Sequence, residues 1–179
     1  MRKGEGRFQF LMGHYLFSIG KSLPKKPKYI VFFRDPVKRA ISHLYHLKRH
    51  NKAFKKNSLY DIASSNNWQI NNLQVRYMGD ISFQPDELYT ENTSLGKEAL
   101  KEAKKNIDKC HFVGITEDFD DSIKLLEKMF DWNLGKTMKK NVAPRRHRKV
   151  PEDLYEKIKA LNQLDIELYE YAKSKYNLY

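Results

Sequence analysis

The sequence predicts an α/β fold, and two strand-to-helix junctions carry that prediction. In the first, Tyr29-Ile30-Val31-Phe32-Phe33 is an unbroken run of β-branched and aromatic residues, with the length and composition of a strand buried on both faces. A helix follows at once, because Asp35 is a good N-cap and Pro36 suits the first helical position, where a missing N–H costs nothing. In the second, a strand over 110–115 runs into Thr116-Glu117-Asp118-Phe119-Asp120-Asp121, whose acids fall where a helix dipole favours them. Arg34 stands at the hinge of the first junction. That is the carboxyl end of the strand, where open α/β sheets place their ligands.

Taken in order, residues 8–19 are apolar and aromatic, interrupted by Gly13-His14, and 20–28 form a polar connector containing Pro24 and Pro27. Gly20-Lys21-Ser22 looks like the end of a phosphate-binding loop. The full pattern needs a further glycine where Tyr15 stands and a helix where the prolines stand, so the match is set aside. Beyond Pro36, the positions of Val37, Ala40, Ile41, Leu44 and Leu47 give a helix one apolar face, with Lys38, Lys48 and Arg49 outward. Residues 51–67 read as a basic loop with a short helix around Leu59, Tyr60 and Ile62. Residues 66–78 are rich in amides, and 79–92 read as irregular surface chain of the kind that often binds ligands.

A helix from Ser94 to about residue 107 carries Leu95, Leu100, Ala103 and Ile107 as its stripe, with Lys97, Lys101, Lys104 and Lys105 solvated. The helix after 116–121 is expected to bury Ile123, Leu125, Leu126, Met129 and Phe130. A basic loop over 132–149 follows, and Pro151 opens a helical region to about 176, in two pieces that meet near 162–165.

One domain is the natural reading of 179 residues. The hydrophobic fraction of 40% is too high for a disordered chain. Lys and Arg exceed Asp and Glu by 34 − 22 = 12, a balance that implies a polyanionic partner such as a phosphorylated cofactor, an acidic sugar, a nucleic acid or anionic lipid. Cys110 is the only cysteine, which rules out an internal disulfide and a thiolate metal cluster. No run approaches the length that spans a bilayer, and the first residues lack the apolar core of a signal peptide.

Arg34 and Ser42 lie eight residues apart, one ending the strand and the other in the helix. Together they offer one anion a bidentate fork and a hydroxyl. The same spacing fits an Arg34 paired with Asp35 and an ordinary surface serine. His14, among Phe10, Tyr15 and Phe17, reads from composition alone as a core histidine. His43, His46 and His50 share a helix flank, but without a further ligand of known spacing they do not make a zinc site.

The run from Phe33 to His46, with Gly13-His14, Asn72-Leu73-Gln74-Val75-Arg76, the segment 112–117 with Phe119, and the segment 164–172, resembles sulfotransferases of the heparan sulfate O-sulfotransferase-like family. The matches are collinear over nearly the whole chain. The resemblance implies a P-loop-NTPase-like three-layer α/β fold with a central parallel sheet. It implies transfer of a sulfuryl group from 3′-phosphoadenosine 5′-phosphosulfate to a hydroxyl of a carbohydrate acceptor, leaving adenosine 3′,5′-bisphosphate. On this resemblance Arg34 and Ser42 hold the 3′-phosphate, His14 is the general base, Asn141 and Arg145 belong to a basic loop over the cofactor phosphates, and Asn72, Gln74 and Arg76 face the acceptor or form a structural network. Glu117 caps the following helix, and Trp68 either stacks on a sugar or is buried.

In the family a first strand and a glycine-containing loop hold the 5′-phosphosulfate, and no counterpart precedes Gly13-His14 here. The expectation is a single sulfotransferase-like domain over 1–179, N-terminally truncated, with a weakened 3′-phosphate site and little or no transfer by this chain. The alternative is a noncatalytic polyanion-binding protein, for a glycan or a nucleic acid. Nucleic acid is the weaker choice, since the aromatics of both strands are not interleaved with cations. The family places a bacterial member in the cytoplasm and a eukaryotic one, membrane-anchored, in the Golgi lumen.

Overall fold

Two short parallel strands sit at the centre, and the helices pack around them in two clusters. The computed structural model describes residues 10–65, 67–81, 94–135 and 150–177. Strand β1 (Ile30–Phe33) pairs with β2 (Phe112–Ile115) in register, Phe32 opposite Gly114 and Phe33 opposite Ile115. The chain crosses between them through helices α1 (Pro36–His50), α2 (Leu59–Ala63), α3 (Leu73–Met78) and α4 (Ser94–Asp108), then continues as α5 (Phe119–Phe130), α6 (Glu152–Ala160) and α7 (Gln163–Tyr176). This is a mixed α/β architecture. Among the described residues no helix is long and apolar enough to cross a membrane.

Each cluster follows from a helical stripe. Ala103 and Ile107 of α4 meet Val75 of α3, Leu168 and Ala172 of α7, and the strand residues Phe33, Val113 and Ile115. Val37, Ala40, Leu44 and Leu47 of α1 meet Ile62 of α2 and Leu154 and Ile158 of α6. Helix α5 is tied to β2 by the buried Ser122, whose hydroxyl accepts from Ile115 N–H at 3.0 Å and donates to Ile115 C=O at 3.1 Å.

Strand β1 departs from its predicted burial. Only Phe33 is buried, and Phe32 is 36% exposed. The reason is the sheet itself: among the described residues β1 pairs with β2 alone, and all four β2 residues are buried. Phe32 lies over Gly114 of β2, where a Cβ would run into its ring. Helix α5 buries less than predicted, with Leu126 inside and Met129 exposed. The amide-rich stretch, which shows no helical period, contains α3 and a 3-10 turn at Trp68–Ile70. Gly20-Lys21-Ser22 closes another 3-10 turn, Phe17–Ser22, packed under Tyr29 by ring stacking at 4.1 Å between Phe17 and Tyr29.

On α1 the three histidines stack side by side, with ring centroids 5.5 Å apart for His43 and His46 and 4.7 Å for His46 and His50. Among the described residues no group of three His, Cys, Asp or Glu side chains converges as a metal would require. His43 is half-buried, and burial lowers its pKa, with Arg39 and His46 lowering it further against a Gln69 hydrogen bond. The unfolded chain therefore binds a proton at this histidine at a higher pH than the folded chain does. Stability falls as pH drops through the ordinary histidine value of about 6.5 and levels off only below the folded pKa. The expected outcome is a larger loss of melting temperature between pH 7.5 and 5.5 for the wild type than for His43→Gln; equal losses would refute it.

Candidate functional site

Arg34 is the single residue between the end of β1 and the N-cap of α1, and its main chain is gripped from both sides. Asp35 caps α1, its carboxylate accepting from Lys38 N–H at 2.9 Å, with Pro36 next in the first turn. Arg34 N–H donates to Gln74 Oε1 at 3.0 Å, and Gln74 Nε2 donates back to Arg34 C=O at 2.9 Å. One amide side chain thus does for Arg34 what a neighbouring strand would do. Asp35 N–H donates to Glu117 Oε1 at 3.1 Å, and Glu117 Oε2 accepts the Tyr169 hydroxyl at 2.9 Å. Burial, and then the Glu117 hydrogen bond, push the Tyr169 phenol well up, so it stays a donor.

The grip depends on where α3 begins. Asp165 of α7, fully buried, accepts from Gln74 N–H at 3.0 Å and Val75 N–H at 2.7 Å, satisfying the first amides of this short helix. Burial pushes the Asp165 carboxyl up, while Arg39 and the Val75 and Gln74 amides pull it back. Asn72 precedes the helix in the left-handed region, φ 44° and ψ 43°, a conformation asparagine tolerates better than most residues. Its side-chain oxygen accepts from Asp165 N–H at 3.0 Å, and its own N–H donates to Asn162 Oδ1 at 3.2 Å. Asn162 then donates to the carbonyls of Ile70 and Ile158, each at 2.8 Å. Arg39 Nη1 donates to Gln69 C=O at 2.8 Å.

With its backbone held, Arg34 keeps its side chain available. Among the described residues no hydrogen bond or ion pair engages its guanidinium. Asp35 pairs with Lys38 instead, at 3.8 Å. Seven residues beyond Asp35, Ser42 is exposed and lies on the same flank of α1, about 10 Å along the axis. Lys38 lies on that flank too, 67% exposed. Two cations and a hydroxyl, all solvent-facing and backed by fixed main chain, suit a multiply charged oxyanion.

His14 is exposed, not in the core. Its ring meets Tyr77 of α3 at 6.0 Å between centroids. Tyr77 is three residues beyond Gln74 in α3, so His14 contacts the helix that grips Arg34. Asn72, Gln74 and Arg76 contact the protein's own backbone. Arg76 is fully buried, its Nε donating to Asn71 C=O at 3.2 Å. Trp68 is half-buried. Asn141 and Arg145 lie outside the described residues. Glu117 does not cap α5, whose N-cap is Asp118 with no side-chain bond; it reaches across to Asp35. Asp165, Asn162, Arg39 and Tyr169 went unread as site residues, since their partners lie up to 93 residues away in sequence.

Known proteins match over the same span as this network. The sequence profile described as galactose-3-O-sulfotransferase matches residues 4–177. The chain belongs to that family of carbohydrate sulfotransferases. Among relatives of the family, heparan-sulfate 6-O-sulfotransferase 1 of Homo sapiens is 30% identical over 184 residues, covering 84% of this chain and 43% of that protein. Heparan-sulfate 6-O-sulfotransferase 2 of Gallus gallus is 29% identical over 181 residues, covering 81% and 43%. The chain therefore spans under half the length of these curated relatives.

The two-way amide grip makes a local prediction. Gln74→Ala is expected to speed hydrogen exchange at the Arg34 amide while leaving the β2 amides protected, and to cost about 1–2 kcal/mol of stability. Unchanged exchange at Arg34 would refute the role given to Gln74.

Proposed function

We propose that the turn at Arg34 is the 3′-phosphate end of a sulfotransferase donor site, in a P-loop-like three-layer fold. The observation that carries this is an uncommitted guanidinium at the carboxyl end of β1, on a main chain fixed by Gln74 and Glu117. The fit is chemical. A phosphate monoester carries about two negative charges and three acceptor oxygens near neutral pH. Arg34 supplies a planar fork for two of these oxygens, Ser42 a hydroxyl donor, and Lys38 further positive charge.

When bound, 3′-phosphoadenosine 5′-phosphosulfate supplies the activated sulfuryl group. This chain's part is to hold the nucleotide by its 3′ end and to take a proton. An acceptor hydroxyl that bonds to sulfur releases its proton as the sulfur–oxygen bond to the phosphate breaks, and an imidazole nitrogen of His14 accepts it. Solvent exposure of His14 beside Tyr77 gives the acceptor access. The chain spans 43% of the relatives' length. Transfer by the whole protein, to a carbohydrate hydroxyl, is therefore part of this proposal. Asn141 and Arg145 are proposed to add to the phosphate contacts. Gln74 acts as a positioning residue on the same reading.

Calorimetric titration with adenosine 3′,5′-bisphosphate tests the site. Arg34→Ala is expected to weaken binding roughly tenfold to hundredfold, the loss of a charge-assisted pair of hydrogen bonds. Equal affinity in the two proteins would sink the assignment. Turnover by the whole protein tests the base: His14→Ala placed there should lower transfer by roughly two to four orders of magnitude while leaving bisphosphate affinity unchanged. Transfer retained by His14→Ala would remove His14 from the mechanism.

A further inference from the structure

His14 stands on chain with no regular element of its own. Residues 10–16 form neither helix nor strand, and His14 lies in a bend four residues before Ser18. Such a stretch keeps its place only through its anchors. The 3-10 turn Phe17–Ser22 that follows has two. Tyr29 stacks on Phe17, and its hydroxyl donates to Phe17 C=O at 2.9 Å. A Cβ at Gly20 would run into that hydroxyl, so the turn seats against Tyr29 only with glycine there. From the other side, Ser18 N–H donates to Asp80 Oδ1 at 2.6 Å, across 62 positions of sequence. Burial raises the Tyr29 pKa against a backbone hydrogen bond at Gly20, and the Asp80 carboxylate raises it further, so the phenol stays a donor and the two anchors are neighbours.

Asp80 is an unfavourable residue on local grounds. It sits one residue past Gly79, the C-cap of α3, where a carboxylate meets the negative end of the helix dipole. Its φ of 57° is in the left-handed region, which costs free energy in a residue with a Cβ and persists where the surroundings require it. Those surroundings are fixed. Gly79 N–H donates to Val75 C=O at 2.7 Å, Ile81 N–H donates to Arg76 C=O at 3.0 Å, and Met78 C=O accepts the buried Asn106 amide at 2.7 Å. What the carboxylate gains there is the Ser18 N–H, in a charge-assisted hydrogen bond.

We propose that Asp80 is a positioning residue for His14, holding the base at a set distance from the Arg34 turn. The proposal rests on the reading of His14 as the base. Helix α3 then carries three contacts in sequence: Gln74 on the Arg34 main chain, Tyr77 on the His14 ring, and Asp80, just past its end, on the turn after His14. Gln74 and Tyr77 are separated by three residues, about 4.5 Å along the axis. Tyr29 ties the same turn to the start of β1, and Arg34 follows the other end of that strand. Both anchors of the His14 segment thus stand on the elements that hold Arg34. A base misplaced by about 1 Å can lose roughly a hundredfold in rate, and an exposed bend by itself does not prevent that. Asp80 acts through the Ser18 amide and needs no contact with substrate.

Nuclear magnetic resonance on this chain tests the clamp. Asp80→Gly removes the carboxylate while keeping the left-handed backbone accessible, and Asp80→Asn keeps an acceptor in the same place. In Asp80→Gly the Ser18 amide is expected to exchange roughly tenfold faster and the cross-peaks between the His14 and Tyr77 rings to disappear, at unchanged Arg34 amide exchange and unchanged adenosine 3′,5′-bisphosphate affinity. Asp80→Asn should retain the cross-peaks. Asp80→Ser, whose side chain ends one atom short of the Ser18 amide, should show the same loss and covers the case in which Asp80→Gly does not fold. In the whole protein, with radiolabelled 3′-phosphoadenosine 5′-phosphosulfate and desulfated heparin, Asp80→Gly should lower kcat roughly tenfold to hundredfold at an unchanged KM for the donor, with most of the rate recovered by Asp80→Asn. Retained cross-peaks and slow Ser18 exchange in Asp80→Gly and Asp80→Ser would overturn the proposal, as would equal losses in Asp80→Asn. Lost cross-peaks with undiminished transfer would uphold the clamp and remove His14 as the base.

Discussion

The geometry at the end of β1 depends on a carboxylate that never touches it. Asp165 is fully buried in α7 and holds the first amides of α3, which fixes where that helix starts and hence where Gln74 stands. A six-residue helix has little stability of its own, because nucleation fixes several residues before hydrogen bonds accumulate. Without an acceptor at its N-terminus, the buried Val75 amide would go unpaired at about 1–3 kcal/mol, and the part-buried Gln74 amide with it. With Asp165 in place, α3 can be short and still rigid enough to hold Arg34 by both its N–H and its C=O. The acid has its own support, since its N–H donates to Asn72 Oδ1 and the charge of Arg39 lies nearby.

This arrangement explains why polar residues crowd one corner of an otherwise apolar interior. Asn72, Arg76, Asn162 and Asp165 are all buried; Asn72, Asn162 and Asp165 have backbone partners across the gap between the starts of α3 and α7, and Arg76 has one in Asn71 beside its own helix. Buried polar groups are tolerable when their hydrogen bonds are made, and they specify one arrangement where apolar packing would accept several. A binding turn needs that uniqueness, since a guanidinium presented even 1 Å out of place loses its fork geometry. The corner supplies rigidity so that Arg34 can leave its own side chain uncommitted.

Much of the fold was legible because it is local. The Asp35 and Pro36 junction, the α1 stripe, the second strand and the break between α6 and α7 are each written within a few residues. Burial of β1 was not, because a run of five apolar residues states what a strand tolerates, while exposure of Phe32 is decided by what pairs beside it. Helix α3 was hidden for a different reason: its amide-rich sequence has no 3.6-residue period, and its stability comes from a residue 91 positions away. Glu117 shows the same limit at the site. An acid before a helix reads as a cap, and only the fold shows it 82 residues from its partner, Asp35.

Charge follows the opposite logic from the buried corner. On α4 and α7 most lysines meet carboxylates in exposed pairs. Such pairs contribute little to stability, a median near 0–1 kcal/mol, so their arrangement is free to answer to something other than folding. Lys97 and Lys101 differ in forming no ion pair among the described residues, although Glu98 and Glu102 are their neighbours in sequence. The main chain at Arg34 is thus set by buried hydrogen bonds that specify one arrangement, while the exposed pairs along α4 and α7 add little to that specification.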